Sequence, residues 1–319
     1  MMKRLLTSRE FGVALLLILV TLIMTMITPN FLTSSNVTNI LITNSVLGIM
    51  SVGMTIVILT GGIDVSVAAI LAVSSVIVAK YVISTGANLY MAFLIGAGCG
   101  LVLGLLNSLF IVYGKIPAII VTLGTMGIFR GTILQVTNGE WIVGFPAWYS
   151  NLNAQKVVGL PLSFLIFLGI ALISGFLLRY TRIGRQIYAF GGNEESAVRI
   201  GIRVKRLQIF VYMYMGLICG VASVVYGAIQ GSVQPNAAVG FELSIVAAVV
   251  VGGVNIMGGS GSVLGTVLGV MFLGLINNAL VLAHVETYWQ NVVVGMVILL
   301  AISVDVLNRK VKLTRRARA

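Results

Sequence analysis

The sequence predicts an all-α fold, a polytopic membrane helix bundle of about ten spans forming one domain over residues 1–319. Three observations predict it. Of 319 residues, 59% are hydrophobic and only 9% charged, whereas a soluble domain carries about 25% charged residues. The apolar residues fall into runs near the roughly 20 that a helix needs to cross hydrocarbon. Lys and Arg are concentrated in a few short segments. The main one, 179–206, reads RYTRIGRQIYAFGGNEESAVRIGIRVKR and holds Arg179, Arg182, Arg185, Arg199, Arg203, Lys205 and Arg206. A charged island between long apolar regions sits in water, and its basic character assigns it to the cytoplasmic side.

The elements follow in order. Residues 1–10 are short and basic, with Lys3, Arg4 and Arg9, and an apolar run from Phe11 to Ile27 follows. This has the layout of a signal peptide, but no A-x-A site comes after it, so it reads as an uncleaved first span. Nine further spans are expected at about 38–60, 63–84, 89–113, 116–135, 160–180, 208–230, 241–257, 260–283 and 287–307. With both termini cytoplasmic, the inner segments hold Lys3, Arg4, Arg9, Lys115, the seven basic residues of the central loop (about 181–207, with Arg179 at its edge), and Arg309, Lys310, Lys312, Arg315, Arg316 and Arg318. That is 17 of the 20 Lys and Arg, as the positive-inside rule requires. Lys80 and Arg130 fall near outer span ends, where they can snorkel. Lys156 is outside.

Pro29, Pro117, Pro146, Pro161 and Pro235 fall at span starts or in outer loops, where no helix hydrogen bond is lost. The longest outer segment, about 136–159, contains Trp141, Trp148 and Tyr149. These suit a membrane interface or a surface for an external partner. Leu103–Asn107, LGLLN, resembles Leu273–Asn277, LGLIN, five spans later. That spacing suggests an inverted 5+5 repeat, a common transporter design.

The net charge of +12 belongs beside the spans, where it fixes orientation and meets anionic membrane lipid; it does not indicate nucleic acid. Cys99 and Cys219 lie in apolar runs as small packing residues. Enzyme chemistry is not expected. The sole histidine is His284, no H-E-x-x-H, G-x-S-x-G or Walker A pattern occurs, and no metal or cofactor site is indicated. Asp64, in GGIDVSV, reads as a helix cap beside Gly61-Gly62; a proton or cation site is the other reading. Gly96, Gly100 and Gly104 recur every four residues, as do Gly261, Gly265 and Gly269, giving stripes that let helix backbones approach closely. Uncharged polar residues within spans, Asn44, Ser45, Asn107, Thr122, Thr125, Gln230, Asn277 and Asn278, are the candidate pathway for a neutral, hydroxyl-rich solute. Each could instead serve as an interhelical hydrogen bond.

Within the central loop, NEESAVRIG reads as a short helix. Asn193 is its N-cap, Glu194 and Glu195 lie in the first turn, Arg199 in the last, and Gly201 is the C′ residue. Glu195 and Arg199 stand at i,i+4. Ala197, Ile200 and Val204 share a face, and Gly191-Gly192 forms a hinge before the helix. A helix of about seven residues is not stable alone, so it must pack on its own membrane domain or on a partner.

GGIDVSV (61–67), KIPAIIVTLGTMGIFRG (115–131), TRIGRQIYAFGGNEESAVRIGI (181–202) and VVGGVNIMGGSGSVLGTVLG (250–269) resemble the permease subunits of bacterial ABC importers of the ribose, rhamnose and autoinducer-2 type. The likeness covers nearly the whole chain. It implies a bacterial inner-membrane location, about ten spans with an inverted-repeat core, and a second permease chain. It also implies cytoplasmic ATP-binding subunits and a periplasmic sugar-binding protein. The docking role of such permeases would fall on Gly191, Gly192, Asn193, Glu194, Glu195, Ala197, Arg199 and Gly201. The E-A-A-x3-G form appears only as Glu195-Ser196-Ala197 followed by Gly201, with serine at the middle position. Two rival readings are an ion-coupled secondary transporter, for which an intramembrane acidic cluster is missing, and a membrane assembly or sensor protein.

Overall fold

A computed structural model describes residues 9–286, apart from 29 and 154, and scattered positions from 288 to 299. The tenth expected span and the basic tail fall largely outside the described residues. The helices are α1 (Arg9–Ile27), α2 (Ser34–Leu59), α3 (Val67–Thr85), α4 (Leu89–Val112), α5 (Ala118–Thr137) and α6 (Ala147–Ser150). Then follow α7 (Leu162–Tyr180), α8 (Arg182–Gly192), α9 (Glu194–Arg199), α10 (Val204–Gln230), α11 (Phe241–Val251) and α12 (Val263–Leu282). Among the described residues seven of these, α2, α3, α4, α5, α7, α10 and α12, are long and apolar enough to cross a membrane. The apolar part of α1, Phe11–Ile27, and α11 are shorter.

Local chemistry fixes the boundaries. Thr33 accepts from Asn36 N at the start of α2, Asn88 from Met91 N at α4, and Ser262 from Gly265 N at α12. Each satisfies an N–H that has no partner within its helix. At the far ends, α3 stops at Gly86 and α10 at Gly231, both left-handed, the conformation that closes a helix and that only glycine adopts at no cost.

The core is α2, enclosed from Ile49 to Leu59, with α7, α10, α11 and α12 against it. Lipid tails are as apolar as leucine, so helices cohere through close packing rather than through water exclusion. The α4–α10 seam works this way. Gly96, Gly100 and Gly104 face the carbonyls of Gly220, Gly216 and Tyr212, and Gly216 and Gly220 return the contact onto the carbonyls of Gly100 and Gly96. A Cβ at any of these would strike backbone. Gly265 and Gly269 meet the carbonyls of Gly252 and Ala248 in the same way. Gly261, expected in the same stripe, lies in the loop before α12 instead.

The bundle has two dissimilar ends. At one, segments 59–62, 115–118, 188–205 and 257–261 meet. At the other, Ile142 bridges Val233, Lys80 Nζ donates to Val136 O, and Arg130 Nη1 donates to Ala237 O at 2.6 Å.

Four expectations need correction. The fold is mostly helical, yet the 136–161 segment holds a small antiparallel hairpin, β1 (Lys156–Val157) with β2 (Leu160–Pro161). Positive φ at both Val158 and Gly159 makes the tight turn. The expected span at 241–257 is helical only to Val251; the glycine-rich 252–262 is irregular because Gly253, Gly258, Gly259 and Gly261 take positive φ. Tyr149 is neither an interface residue nor a docking residue. It is 1% exposed, stacks on Phe145 at 4.4 Å and donates to Val224 O, in space left by Gly227. Finally, Gly191-Gly192 is no hinge: both residues lie within helix α8.

Candidate functional site

Residues 181–203 fold as two helices with different attachments. Thr181 caps α8 by accepting from Gly184 N at 3.1 Å. The buried face of α8 is Gly184, Ile187 and Phe190. Gly184 sits directly on the carbonyls of Leu177 and Leu178, and Gly191 on Leu59 O and Gly259 N. Gly259 N in turn donates to Leu59 O at 2.9 Å, and Tyr188 Oη donates to Gly261 O at 2.9 Å. The end of α2, the end of α8 and the glycine-rich loop before α12 therefore form one backbone clasp. Sequence reading missed it, although the glycines of GGSG were its signal.

Helix α9 is closed at both ends by its own sequence. Asn193 Oδ1 accepts from Ser196 N at 2.8 Å. At the other end Gly201 N donates to Val198 O and Ile202 N to Ala197 O, with Gly201 at φ 85°. These two bonds satisfy the last carbonyls as a Schellman motif. Glu194 and Glu195 lie in the first turn and Arg199 in the last, matching the helix dipole. Glu195 and Arg199 approach to 3.9 Å, both exposed, a pair worth little in water. Of the apolar face expected for this helix, Ala197 is buried at 1% exposure and Val204 half-buried, but Ile200 is 73% exposed. The helix ends at Arg199, so its periodicity does not carry Ile200 inward. Val198 is also exposed, at 56%.

Beside α8 and α9 lies a cavity of about 570 Å³ lined by Thr60, Gly62, Lys115, Glu194, Lys205 and Tyr212, among others. It joins the turns before α3 and α5 to the start of α10.

The expected polar residues separate into three places. Asp64, Ser66, Asn107 and Thr122 form one buried cluster. Asp64 Oδ1 accepts from Ser66 N at 2.9 Å and from Ser66 Oγ at 2.6 Å, at the start of α3. Asn107 Nδ2 donates to Ser66 Oγ at 2.8 Å, and Val65 N to Thr122 Oγ1. Thr125 lies one turn further along α5, bonded to Thr122 O. Asp64 Oδ2 and Asn107 Oδ1 are buried and without a hydrogen-bond partner among the described residues, an expensive condition for polar atoms. The second place is the α2–α12 contact. Asn36 and Asn278 exchange a reciprocal pair of bonds at 2.8 and 2.9 Å, and Asn44 packs on Gly274. Asn277 is half-buried nearby, and Ser45 is buried and bonded to Leu41 O. Gln230 is the third, exposed at the opposite end of α10.

Several helices long and apolar enough to cross a membrane, a glycine-sealed core and a buried polar cluster describe a multi-pass membrane protein. Comparison with known proteins makes this specific. Residues 36–302 match the family described as branched-chain amino acid transport system / permease component, and the chain belongs to that family. It is similar to the ribose import permease protein RbsC of Escherichia coli K12, 38% identical over 302 residues and covering 92% of each chain. The protein of that name from Bacillus subtilis 168 is 39% identical over 299 residues, 93% of this chain and 92% of the relative. The autoinducer 2 import system permease protein LsrC of Salmonella typhi is 32% identical over 299 residues, 94% and 86%. No solved structure shows a significant match. The relatives are transport permeases, not enzymes.

Proposed function

We propose that the chain is the membrane-spanning subunit of an ATP-driven importer for a neutral monosaccharide or similar polyol, of the ribose, rhamnose or autoinducer-2 class. Its partners are cytoplasmic ATP-binding subunits, a periplasmic sugar-binding protein and a second permease chain. One observation carries the reading: α9, a helix too short to persist alone, is capped at both ends, rests on Ala197, and presents Val198 and Ile200 to water. Such a surface suits a soluble partner that grips the permease. Displacement of α9 would pass through α8 to the Gly191–Leu59–Gly259 clasp, and so to α2 and α12 together.

The basic end is then cytoplasmic, with both termini on that side. Ten spans result when the two shorter helices, 11–27 and 241–251, and segment 287–307 are added to the seven. Helix pairing supports an inverted 5+5 repeat. Exchange of the halves maps span 4 (α4) onto span 9 (α12), span 7 (α10) onto span 2 (α2), and span 3 (α3) onto span 8 (α11). Accordingly α4–α10 has its counterpart in α12–α2, α3–α10 in α11–α2, and α3–α4 in α11–α12. Gly104 of LGLLN closes on α10, and the equivalent Gly274 of LGLIN closes on Asn44 of α2.

The solute pathway passes between α3, α4 and α5, where the unpartnered Asp64 Oδ2 and Asn107 Oδ1 would accept hydroxyl hydrogens and Thr122 and Thr125 stand alongside. The test is reconstitution in proteoliposomes. Ribose uptake is expected only with binding protein, ATPase and ATP all present. Uptake by this chain alone under an ion gradient would transfer it to the ion-coupled class.

A further inference from the structure

A groove of about 930 Å³ runs along α7 where it meets the start of α12. Its walls are Leu172 and Phe176 of α7 with Leu264 and Val267 of α12. Leu172, Phe176 and Leu264 are exposed, so the groove opens toward the surroundings of the bundle. Gly175 lies on the groove surface, and a Cβ there would meet nothing within 4 Å. One end is chemically different: Arg179, in the last turn of α7, and Arg185, early in α8, line it. Both arginines are exposed, and neither has a carboxylate partner among the described residues. Arg179 lies over the Tyr180 ring at 5.6 Å.

A fitting occupant is apolar along most of its length and anionic at one end. We infer that the groove binds an anionic phospholipid, with an acyl chain along α7 and α12 and its phosphate between Arg179 and Arg185. The dimensions agree. From Leu168, at the apolar end of the groove, to Arg179 the helix rises about 16 Å. That is close to half of the roughly 30 Å hydrocarbon core, so the arginines reach headgroup level when Leu168 lies near the midplane. Basic pockets between spanning helices are known sites for acidic headgroups. Charge also discriminates between occupants. Segment 287–307 carries one carboxylate, Asp305, but leads directly into Arg309, Lys310 and Lys312, so its charge at that end is net basic like that of Arg179 and Arg185, and a second copy of this face would bring the same basic pair. The groove borders Tyr188, whose hydroxyl holds Gly261 O, so a bound lipid would steady α8 beside the clasp.

The test is lipid retention by the purified full-length chain, read by native mass spectrometry after delipidation and addition of phosphatidylglycerol or acyl-matched phosphatidylcholine. Wild type is expected to retain phosphatidylglycerol preferentially. Arg179→Gln with Arg185→Gln is expected to lower that affinity roughly 30-fold, each basic group contributing several-fold at an anionic surface. Gly175→Phe projects a ring into the groove from a position where a Cβ meets nothing within 4 Å, and is expected to reduce retention of both lipids with little loss of thermal stability. Each single Arg→Gln variant gives a several-fold loss should the double variant fold poorly. Equal retention of the two lipids by wild type, or unchanged retention in the arginine or glycine variants, overturns the proposal. So does a cysteine cross-link from position 172 to segment 287–307 or to a second copy. The readout involves no transport, so it stands or falls apart from the import reading.

Discussion

Helices α8 and α9 are neighbours in sequence, share one basic loop and are joined by Asn193 alone, yet they are held by opposite means. α8 is fastened to the bundle by backbone: Gly184 on the carbonyls of α7, Gly191 on Leu59 and Gly259. α9 is held by its own caps and by one buried side chain, Ala197, and it leaves Val198 and Ile200 in water. Under the proposed docking role the difference has a reason. The inner joint, built from backbone atoms that cannot rotate away, would not yield. The outer joint would accept a partner, which fits the apolar residues left uncovered there and the fold secured locally.

The largest effect is expected where the inner joint is broken. Gly191→Leu places side-chain atoms against the Leu59 carbonyl and Gly259 N, both backbone, and overpacking of that kind costs about 3 kcal/mol or more when nothing can move aside. Thermal unfolding of the purified permease should fall by many degrees, or the protein should fail to accumulate in the membrane. Gly192→Ala, one residue away, meets nothing within 4 Å and should leave both readouts near wild type. Equal sensitivity of the two glycines would restore the hinge expectation and remove the clasp.

How much of this contrast was legible in the sequence depends on distance along the chain. The caps of α9 were legible because capping is local: Asn193 reaches Ser196, and Gly201 closes on Val198. The positions of the seven long apolar helices were legible to within several residues because an apolar run is a property of one segment. α8 was missed because Arg182 and Arg185 satisfied the positive-inside reading and hid the Ile187–Phe190 face. Residues 252–257 passed for the end of a span because their glycines are compatible with an apolar helix until their φ values are known. The candidate polar residues looked alike in sequence, and only tertiary structure separates Asn107, beside Asp64, from Asn278, paired with Asn36, and from Gln230 at the far end. Co-location is a long-range property that one sequence does not encode in any window.

A smaller structural effect with a large functional one is expected at the outer joint. Val198→Lys with Ile200→Lys replaces exposed side chains, buries no charge and suits the C-terminal end of the helix dipole, so unfolding should stay within about 0.5 kcal/mol of wild type, as for most surface changes. Co-purification with the ATP-binding subunit should be lost, because truncating a central apolar anchor of an interface commonly costs 2 kcal/mol or more. Retained co-purification would move the gripping surface off α9, and the contrast between the two helices would lose its meaning.

The smallest effect tests whether the local caps matter beyond the contacts they carry. Asn193→Ala removes the acceptor for Ser196 N, a change that typically costs about 1 kcal/mol of helix stability. A six-residue helix has little else to oppose fraying, so amide exchange should quicken across 194–199 while 182–192, held by the clasp, stays protected. ATP-driven uptake should fall modestly, since the partner must then order the helix that it grips. Asn193→Asp, an equally good N-cap, should restore both slow exchange and uptake. Failure of aspartate to rescue would mean that Asn193 is read directly by the partner rather than acting through α9. Faster exchange spreading into 182–192 would mean that the two helices unfold as one unit, and the division between a fixed inner joint and a gripped outer one would have to be given up.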